Sequence, residues 1–596
     1  MLSTASLIGL SVAGTATAIP PVTNPDLGPN VLVFDPSMPT SQIQAAVDAI
    51  AAQQVSNQFG PQRYTLLFKP GTYGSASDPL NFQVGYYTEV AGLGQSPTDV
   101  TINGSVYVRN QCDGGGCVAL NNFWRSLSNL TINVTTPNFG CYSGEFWPVS
   151  QASPMRRVNI VGGNTTLMDY CTGPSFASGG FIADSSFSGG TVINGSQQQF
   201  FVRNSNLDGW TNGVWNQVFS GVTGAPAQCF PASSSCGPYT TVAATPASRE
   251  KPYLFVDSSG AWNVFVPSAM KDSTGTTWGS GPTPGRAIPL SDFYIAKPGD
   301  SVDTINDQLD RGRNLLFTPG VYDINHTIEV QRPNSVVLGL GFATLTATNG
   351  AVPMKVEDAR NVDIAGLIFD AGAKNSPVLL QVNGSEGEHE GRNAQPSALQ
   401  DVFFRVGGPH VGKATVSLKV NASNVILDDI WAWRADHGTG VGWTSNTGDT
   451  GVIVNGDNVT ATGLFVEHYQ KTEVRWNGNN GKTIFFQNEM PYDVPSQTAW
   501  MDGTSNGYAA YQVGPKVKSH EAWGLGSYSF FNQGVDVYAD NAFVVPQTPG
   551  VQMHDMLTIF LNSSSGKGGI LNVINNTGGS STIANPDTPV TVTNYP

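Results

Sequence analysis

Short apolar runs alternate with Gly- and Asn-rich turns along almost the whole chain, and two stretches repeat each other in the same order. The first reads Ser41-Gln-Ile-Gln-Ala-Ala-Val-Asp-Ala-Ile, then Leu66-Leu-Phe-Lys-Pro-Gly-Thr-Tyr73, then Val90-Ala-Gly-Leu-Gly94. The second reads Ser301-Val-Asp-Thr-Ile-Asn-Asp-Gln-Leu, then Leu315-Leu-Phe-Thr-Pro-Gly-Val-Tyr322, then Val337-Leu-Gly-Leu-Gly341. Matching positions lie 249 and 247 residues apart. Each copy predicts a short amphipathic helix, a strand closed by a Pro-Gly turn, and a second strand with closely packed glycines. A helix at the head of a run of strands covers the open edge of the first coil.

After each copy come strands at loose spacing. Leu127–Val134, Arg157–Val161, Phe181–Phe187 and Phe200–Leu207 belong to the first half; Asn361–Phe369, Asn424–Trp431, Asn458–Val466 and Lys482–Gln487 belong to the second. Steps of about 20 to 30 residues suit the coils of a parallel β-helix. The absence of helix-length amphipathic runs between them argues against βαβ units. A β-sandwich predicts hairpin-linked strands instead. The expected fold is all-β: two tandem right-handed parallel β-helices of the pectin-lyase-like kind, side by side, over residues 19–270 and 290–596. The junction is expected at 271–289, where Gly279-Ser-Gly-Pro-Thr-Pro-Gly285 has the composition of a linker. The groove between the two solenoids is a natural seat for a long ligand.

Composition narrows the partner. The chain has 596 residues, enough for more than one domain. Its 40% hydrophobic content excludes a disordered chain. The net charge is −15, and no run of Lys or Arg offers a nucleic-acid footprint. That charge repels polyanions at long range and leaves a neutral polysaccharide indifferent. Residues 1–18, an apolar run ending in Ala16-Thr17-Ala18, resemble a secretory signal without the usual basic start. No later stretch is long and apolar enough to span a membrane. The expectation is a secreted, extracellular monomer with neither nucleic-acid nor membrane partners. The six cysteines, Cys112, Cys117, Cys141, Cys171, Cys229 and Cys236, are even in number and lack Cys-x-x-Cys spacing. They read as disulfides rather than a zinc site. Close pairs suggest Cys112–Cys117 and Cys229–Cys236, leaving Cys141–Cys171. Sequons such as Asn103-Gly-Ser, Asn129-Leu-Thr, Asn325-His-Thr and Asn458-Val-Thr permit glycosylation or are simply turns.

Glu467 and Glu489 stand 22 residues apart, close to one coil, just past matching strands. Residues one coil apart stack about 4.8 Å from each other. Two such carboxyls repel when ionised, so one keeps its proton to higher pH, as a general acid for glycosidic cleavage requires. Trp431, Trp433, Trp443, Tyr469, Trp476, Tyr492 and Trp523 crowd the same region. They are candidate sugar platforms, of which only a minority are expected to touch sugar, since large aromatics are usually buried. Asp428-Asp429 and Arg434-Ala-Asp436-His437 form a second polar cluster. Arg434, Asp436 and His437 read as a structural ion pair or a sugar-hydroxyl contact, and His520-Glu521 as lining of the cleft. No P-loop, dinucleotide fingerprint or metal-type histidine cluster is present, so neither cofactor nor metal is expected.

Phe465-Val-Glu-His-Tyr-Gln, Trp476-Asn-Gly, Phe486-Gln-Asn-Glu-Met-Pro-Tyr and Glu521-Ala-Trp-Gly-Leu-Gly resemble glycoside hydrolase family 55, the β-1,3-glucanases. The likeness covers both halves. It implies tandem β-helices with a cleft between them, inversion, and mostly exo action on laminarin-type chains. It places the general acid at Glu489 and a second glutamate at Glu467. It implies a hydrolytic water held by Gln151 and Ser175, which are 24 residues apart. Alternatives on the same scaffold are a polysaccharide lyase or polygalacturonase, and a non-catalytic carbohydrate-binding β-helix.

Overall fold

The computed structural model describes residues 24–596 apart from 114–115, 135–140, 142–143, 174–175, 196, 212, 359, 385–394, 563 and 565. The signal-like segment 1–18 and Ser175 lie outside the described residues. In the first half, Val31–Phe34, Tyr64–Phe68, Thr88–Gly92, Arg125–Asn133, Met155–Val161, Phe181–Ala183, Gln199–Arg203, Asn216–Ser220 and Tyr239–Val242 join one sheet in chain order. Neighbours along that path are parallel, as successive coils of a solenoid must be. The second half repeats the scheme with longer strands: Val336–Ala347, Asp363–Asp370, Ser397–Val406, Val425–Arg434, Thr460–Glu467, Gly481–Glu489, His520–Ser529 and Val551–Phe560. A second parallel sheet, from Ile328–Val330 to Phe543–Val544, closes each of its coils.

The repeat seen in the sequence has a repeated physical job. The helices Thr40–Gln54 and Val302–Asp310 bury Ile43, Val47 and Ala51, and Val302, Ile305 and Leu309. Each also satisfies backbone at the open end: Gln44 bonds both N–H and C=O of Asn81, and Asn306 accepts from the Glu329 N–H and donates to Thr327. Each Pro-Gly turn is locked by the tyrosine that ends its motif. Tyr73 donates to the carbonyls of Phe34 and Lys69, and Tyr322 to those of Ala296 and Thr318.

The long strands bend at one left-handed residue per coil. Gly366, Asp401, Asp429, Gly463, Phe485, Gly524 and Asp555 all have φ between 52° and 74°. Each drops out of the ladder between paired neighbours, so the bends stack from coil to coil. The bend divides every strand into two faces, and the catalytic candidates lie beyond it, near the strand ends.

The solenoids meet along an aromatic seam containing Tyr87, Phe123, Trp124, Phe181, Phe201, Phe403, Trp431, Trp433, Phe465 and Phe485. Beside it runs a buried charge lattice. Arg156 contacts Asp401 and Asp428 at 2.7 Å each, and Arg203 reaches Asp428 at 2.6 Å and Glu250 at 2.5 Å. Asp428 therefore serves the joint between solenoids. Both ends of the stretch expected as a linker are built into antiparallel sheet: Met270–Ser273 pairs Thr245–Ser248, and Gly285–Pro289 pairs Trp262–Pro267, which in turn pairs Tyr253–Val256.

The three expected disulfides, Cys112–Cys117, Cys141–Cys171 and Cys229–Cys236, are present, all in the first half. Asn129 is not an open glycosylation site. It is 1% exposed and its amide donates to the carbonyls of Gly92 and Gly94.

Candidate active site

Alternation along three neighbouring strands builds half of the site. Ile430, Ala432, Leu464, Val466 and Phe486 point into the second solenoid. The residues between them, Trp431, Trp433, Phe465, Glu467, Gln487 and Glu489, therefore point outward, toward the first solenoid. Trp433 stands beside Glu467, and Phe465 beside Gln487. The same 22-residue register puts Glu467 beside Glu489, and the His468 N–H donating to the Glu489 carbonyl at 2.8 Å holds it there.

The first solenoid supplies the other half from its turns. Gln151, Ser178, Gln198 and Trp215 lie just ahead of Met155–Val161, Phe181–Ala183, Gln199–Arg203 and Asn216–Ser220, one per successive coil. Gln151 Nε2 donates to Glu467 Oε1 at 2.6 Å and to Gln487 Oε1 at 3.1 Å, while Ser178 Oγ donates to Gln151 Oε1 at 2.7 Å. Gln198 Nε2 donates to Glu489 Oε1 at 2.6 Å. Trp215 stacks on Tyr528, the register partner of Glu489, with ring centroids 5.8 Å apart. The remaining donors come from the second solenoid. Trp431 Nε1 donates to Glu467 Oε2 at 2.7 Å, and the Tyr492 O–H donates to Glu489 Oε2 at 2.5 Å. His468 Nε2 lies 3.5 Å from that same oxygen.

The two carboxyls differ in access. Glu467 is 3% exposed and Glu489 8%. Burial first, and the charge of Glu489 second, push the Glu467 carboxyl well above the usual range, against the pull of donors on its oxygens. The repulsion expected from the spacing thus acts on Glu467, the more enclosed member. Burial and the Glu489 charge also push the Tyr492 phenol up, so it remains an O–H donor.

Asp436 is an exposed residue at the strand end near the pair, with about a quarter of its side chain open. Burial works to raise its pKa, but the hydrogen bond from His437 and the nearby His468 outweigh it and hold the carboxylate below its usual range. His437 Nδ1 meets Asp436 Oδ1 at 2.8 Å, its Nε2 meets Gln58 Nε2 at 2.6 Å, and Trp433 packs on its ring. Arg434 does not join them. It turns away to pair with Asp493 at 2.7 Å and lies over the half-buried Trp443.

Several expected sugar platforms have no face to offer. Tyr469 and Trp476 are fully buried in the core of the second solenoid, Tyr469 held by Ser417. Trp431 and Trp433 are each 1% exposed, covered by the first solenoid. Trp523 precedes the bend at Gly524, stacks on His554 and lies under Lys482, away from Glu489. His520 is core as well, its pKa pushed down to about 3 by burial, and Glu521 pairs with Lys482. Tyr492 remains half-open beside the pair. Gln198, Ser178, Gln487 and His468 were not singled out from the sequence. The run Gln197-Gln198-Gln199 ahead of Phe200-Phe-Val was the available signal for the first. Among the described residues, no group of His, Cys, Asp and Glu side chains is arranged to hold a metal, and no helix is long and apolar enough to cross a membrane.

The chain is also similar to known proteins. Residues 293–489 match the LAM55 pectate lyase-like domain, and residues 39–228 the rhamnogalacturonase A/epimerase pectate lyase-like family. An exo-beta-1,3-glucanase of Streptomyces sp. (strain SirexAA-E / ActE) is 50% identical over 553 residues, 93% of this chain and 87% of the relative. The structure of sacteLam55A from Streptomyces sp. SirexAA-E superposes with a TM-score of 0.88 at 49% identity, covering 96% of this chain and 99% of that one. A glutamate-to-alanine variant of sacteLam55A in complex with glucose superposes with a TM-score of 0.87 at 48% identity, with the same coverage.

Proposed function

The chain belongs to glycoside hydrolase family 55, the LAM55-type β-1,3-glucanases, and we propose that it is a secreted exo-β-1,3-glucanase that releases glucose from laminarin-type chains with inversion. The observation that carries this reading is the carboxyl pair Glu467–Glu489 on one solenoid, completed by Gln151 and Gln198 from the other. The solved glucose complex of the half-identical relative supports glucose as the released sugar.

Glu489 is the more open carboxyl and is assigned as the general acid that protonates the leaving glycosidic oxygen. Inversion needs a water on the opposite face of the sugar, with roughly 6.5–9.5 Å between acid and base. Carboxyls on adjacent coils, about 4.8 Å apart, leave no room for that water between them. Glu467 is therefore not a lone base. Its role is to anchor Gln151, whose carbonyl is in turn fixed by Ser178. Gln151 and Ser178 are assigned as the seat of the water; the expected Ser175 is not among the described residues. Asp436, Tyr492 and His437 are assigned to the hydroxyls of the bound glucosyl unit. The carboxylate of Asp436 is a strong acceptor for a sugar O–H.

The test is laminarin digestion followed by NMR from the first turnover. Glucose as the first product, appearing as the α-anomer, is expected. Longer oligosaccharides at the start would overturn exo action, and the β-anomer would overturn inversion. Glu489→Gln should abolish hydrolysis in a folded protein; retention of most activity would remove Glu489 from the role of acid.

A further inference from the structure

We propose that Gln198, on the first solenoid, is a positioning residue for the proton donor carried by the second, and that Gln487 holds Gln198 to that task. The proposal rests on the reading of Glu489 as the general acid. Gln198 is 6% exposed and stands in the turn before Gln199–Arg203. Its Nε2 donates to Glu489 Oε1 at 2.6 Å, and its Oε1 accepts from Gln487 Nε2 at 2.8 Å. Gln487 Oε1 in turn accepts from Gln151 Nε2 at 3.1 Å. The result is a row of three primary amides joining the water side of the site to the acid side.

A primary amide has a donor end and an acceptor end, so the row has a direction. Turning Gln198 over would set its oxygen against a carboxyl oxygen and its NH₂ against that of Gln487. Gln151 prevents the whole row from reversing, because its NH₂ is also committed to Glu467 Oε1 and its carbonyl to Ser178. Glu489 Oε1 therefore always receives a hydrogen and is not the oxygen that carries the acid proton. That proton is assigned to Oε2, whose 2.5 Å neighbour is the Tyr492 hydroxyl: a hydroxyl can turn its O–H away and accept instead, as the fixed NH₂ of Gln198 cannot. Gln198 thus selects the donating oxygen and fixes the plane of the carboxyl. It does so from a different solenoid, which makes acid geometry depend on how the two halves dock. Proton transfer in the transition state is sensitive to such placement.

A filler in the seam would act on every substrate alike; a residue that orients the acid matters only when the leaving group needs a proton. Fluoride departs from β-D-glucopyranosyl fluoride without protonation, whereas the sugar alkoxide of laminaribiose does not. Gln198→Met keeps the volume and removes the amide. The expected result is a fall in kcat of ~10- to 100-fold on laminaribiose, the scale of a misplaced catalytic group. The KM for laminaribiose and the rate on the fluoride should stay close to those of the parent enzyme. Gln487→Met, on the other solenoid, should give the same selective pattern, and supplies the test if the first variant fails to fold. Equal losses on both substrates, or no loss on either, would overturn the proposal. Glu489→Gln on the same two substrates separates it from the reading beneath it. If that variant loses both activities equally, the assignment of the acid falls; if it spares the fluoride while Gln198→Met and Gln487→Met do not discriminate, only the role of the amide row falls.

Discussion

Gln151 of the first solenoid and Glu467 of the second are joined by an N–H···O bond of 2.6 Å, and both partners are buried. Neither solenoid therefore holds a complete site. Gln151→Leu removes the donor to Glu467 and the acceptor for Ser178 together, emptying the assigned water seat. Losing one fixed donor at a catalytic centre typically costs ~10²- to 10³-fold in rate. A fall of that order in kcat on laminarin, with a folded protein by circular dichroism, is expected. Activity within a few-fold of the parent would remove Gln151 from the site.

Trp431 lies beneath the first solenoid and spends its indole N–H on Glu467 Oε2 at 2.7 Å. Trp431→Phe keeps most of the buried ring and deletes that bond. Its effect should fall on kcat, roughly 10-fold for one lost hydrogen bond to a charged or polarised group, with KM for laminarin unchanged. A rise in KM with kcat preserved would show that the ring contacts sugar after all.

The docking of the halves depends on Asp428, which is 1% exposed and neutralises Arg156 and Arg203 together. Burial would raise its pKa, but the two guanidiniums hold it below the usual carboxylate range. Asp428→Asn leaves two buried cations short of one charge. Breaking such a pair costs about 3–5 kcal/mol. Urea unfolding should show a correspondingly lower midpoint, and intersolenoid contacts should loosen before either core melts. A midpoint within error of the parent would mean that water or Glu250 replaces the lost charge.

Much of this architecture was legible in the sequence because solenoids write their period into the chain. The paired Pro-Gly-x-Tyr motifs and the helices ahead of them gave two domains, and coil spacing put Glu467 beside Glu489. The errors share one cause. Alternation tells which face of a strand a residue takes, but not what covers that face. Trp431 and Trp433 do point out of the second solenoid, yet the first solenoid lies on top of them. Tyr469 and Trp476 lie in the turn and the short strand beyond Thr460–Glu467, where no alternation warned that they turn into the core. The site residues that went unseen, Gln198 and Ser178, come from turns between coils, where no periodic signal exists. The pairing of Asp428 with arginines more than 200 residues away is likewise a property of docking, invisible to local pattern.

At the edge of the seam, His410 Nε2 lies 3.1 Å from Asp370 Oδ2, and Arg405 pairs with the same carboxylate at 2.8 Å. The hydrogen bond to Asp370 raises the His410 pKa, against the opposing effect of burial. Burial would likewise raise the pKa of Asp370, but Arg405 and His410 outweigh it and hold the carboxylate below its usual range. The signs follow from linkage. A histidine whose folded pKa exceeds the unfolded value of about 6.5 contributes stability that is full below that pH and is lost as pH rises through the folded value. Asp370, depressed on folding, contributes above about pH 3.9 and loses its contribution as acid takes the pH down through its folded value. The His410 side chain is 43% exposed, so solvent limits its share to less than about 1 kcal/mol. Melting curves of the parent and His410→Gln should therefore converge as pH rises from about 6 to 9, with the parent the more stable only at the lower end. In His410→Gln only Arg405 is left to hold Asp370 ionised, so below about pH 4 the variant's acid limb should begin at slightly higher pH than the parent's. Parallel curves between pH 6 and 9 would mean that His410 carries no charge-linked stability, and that Arg405 alone sets the ionisation of Asp370.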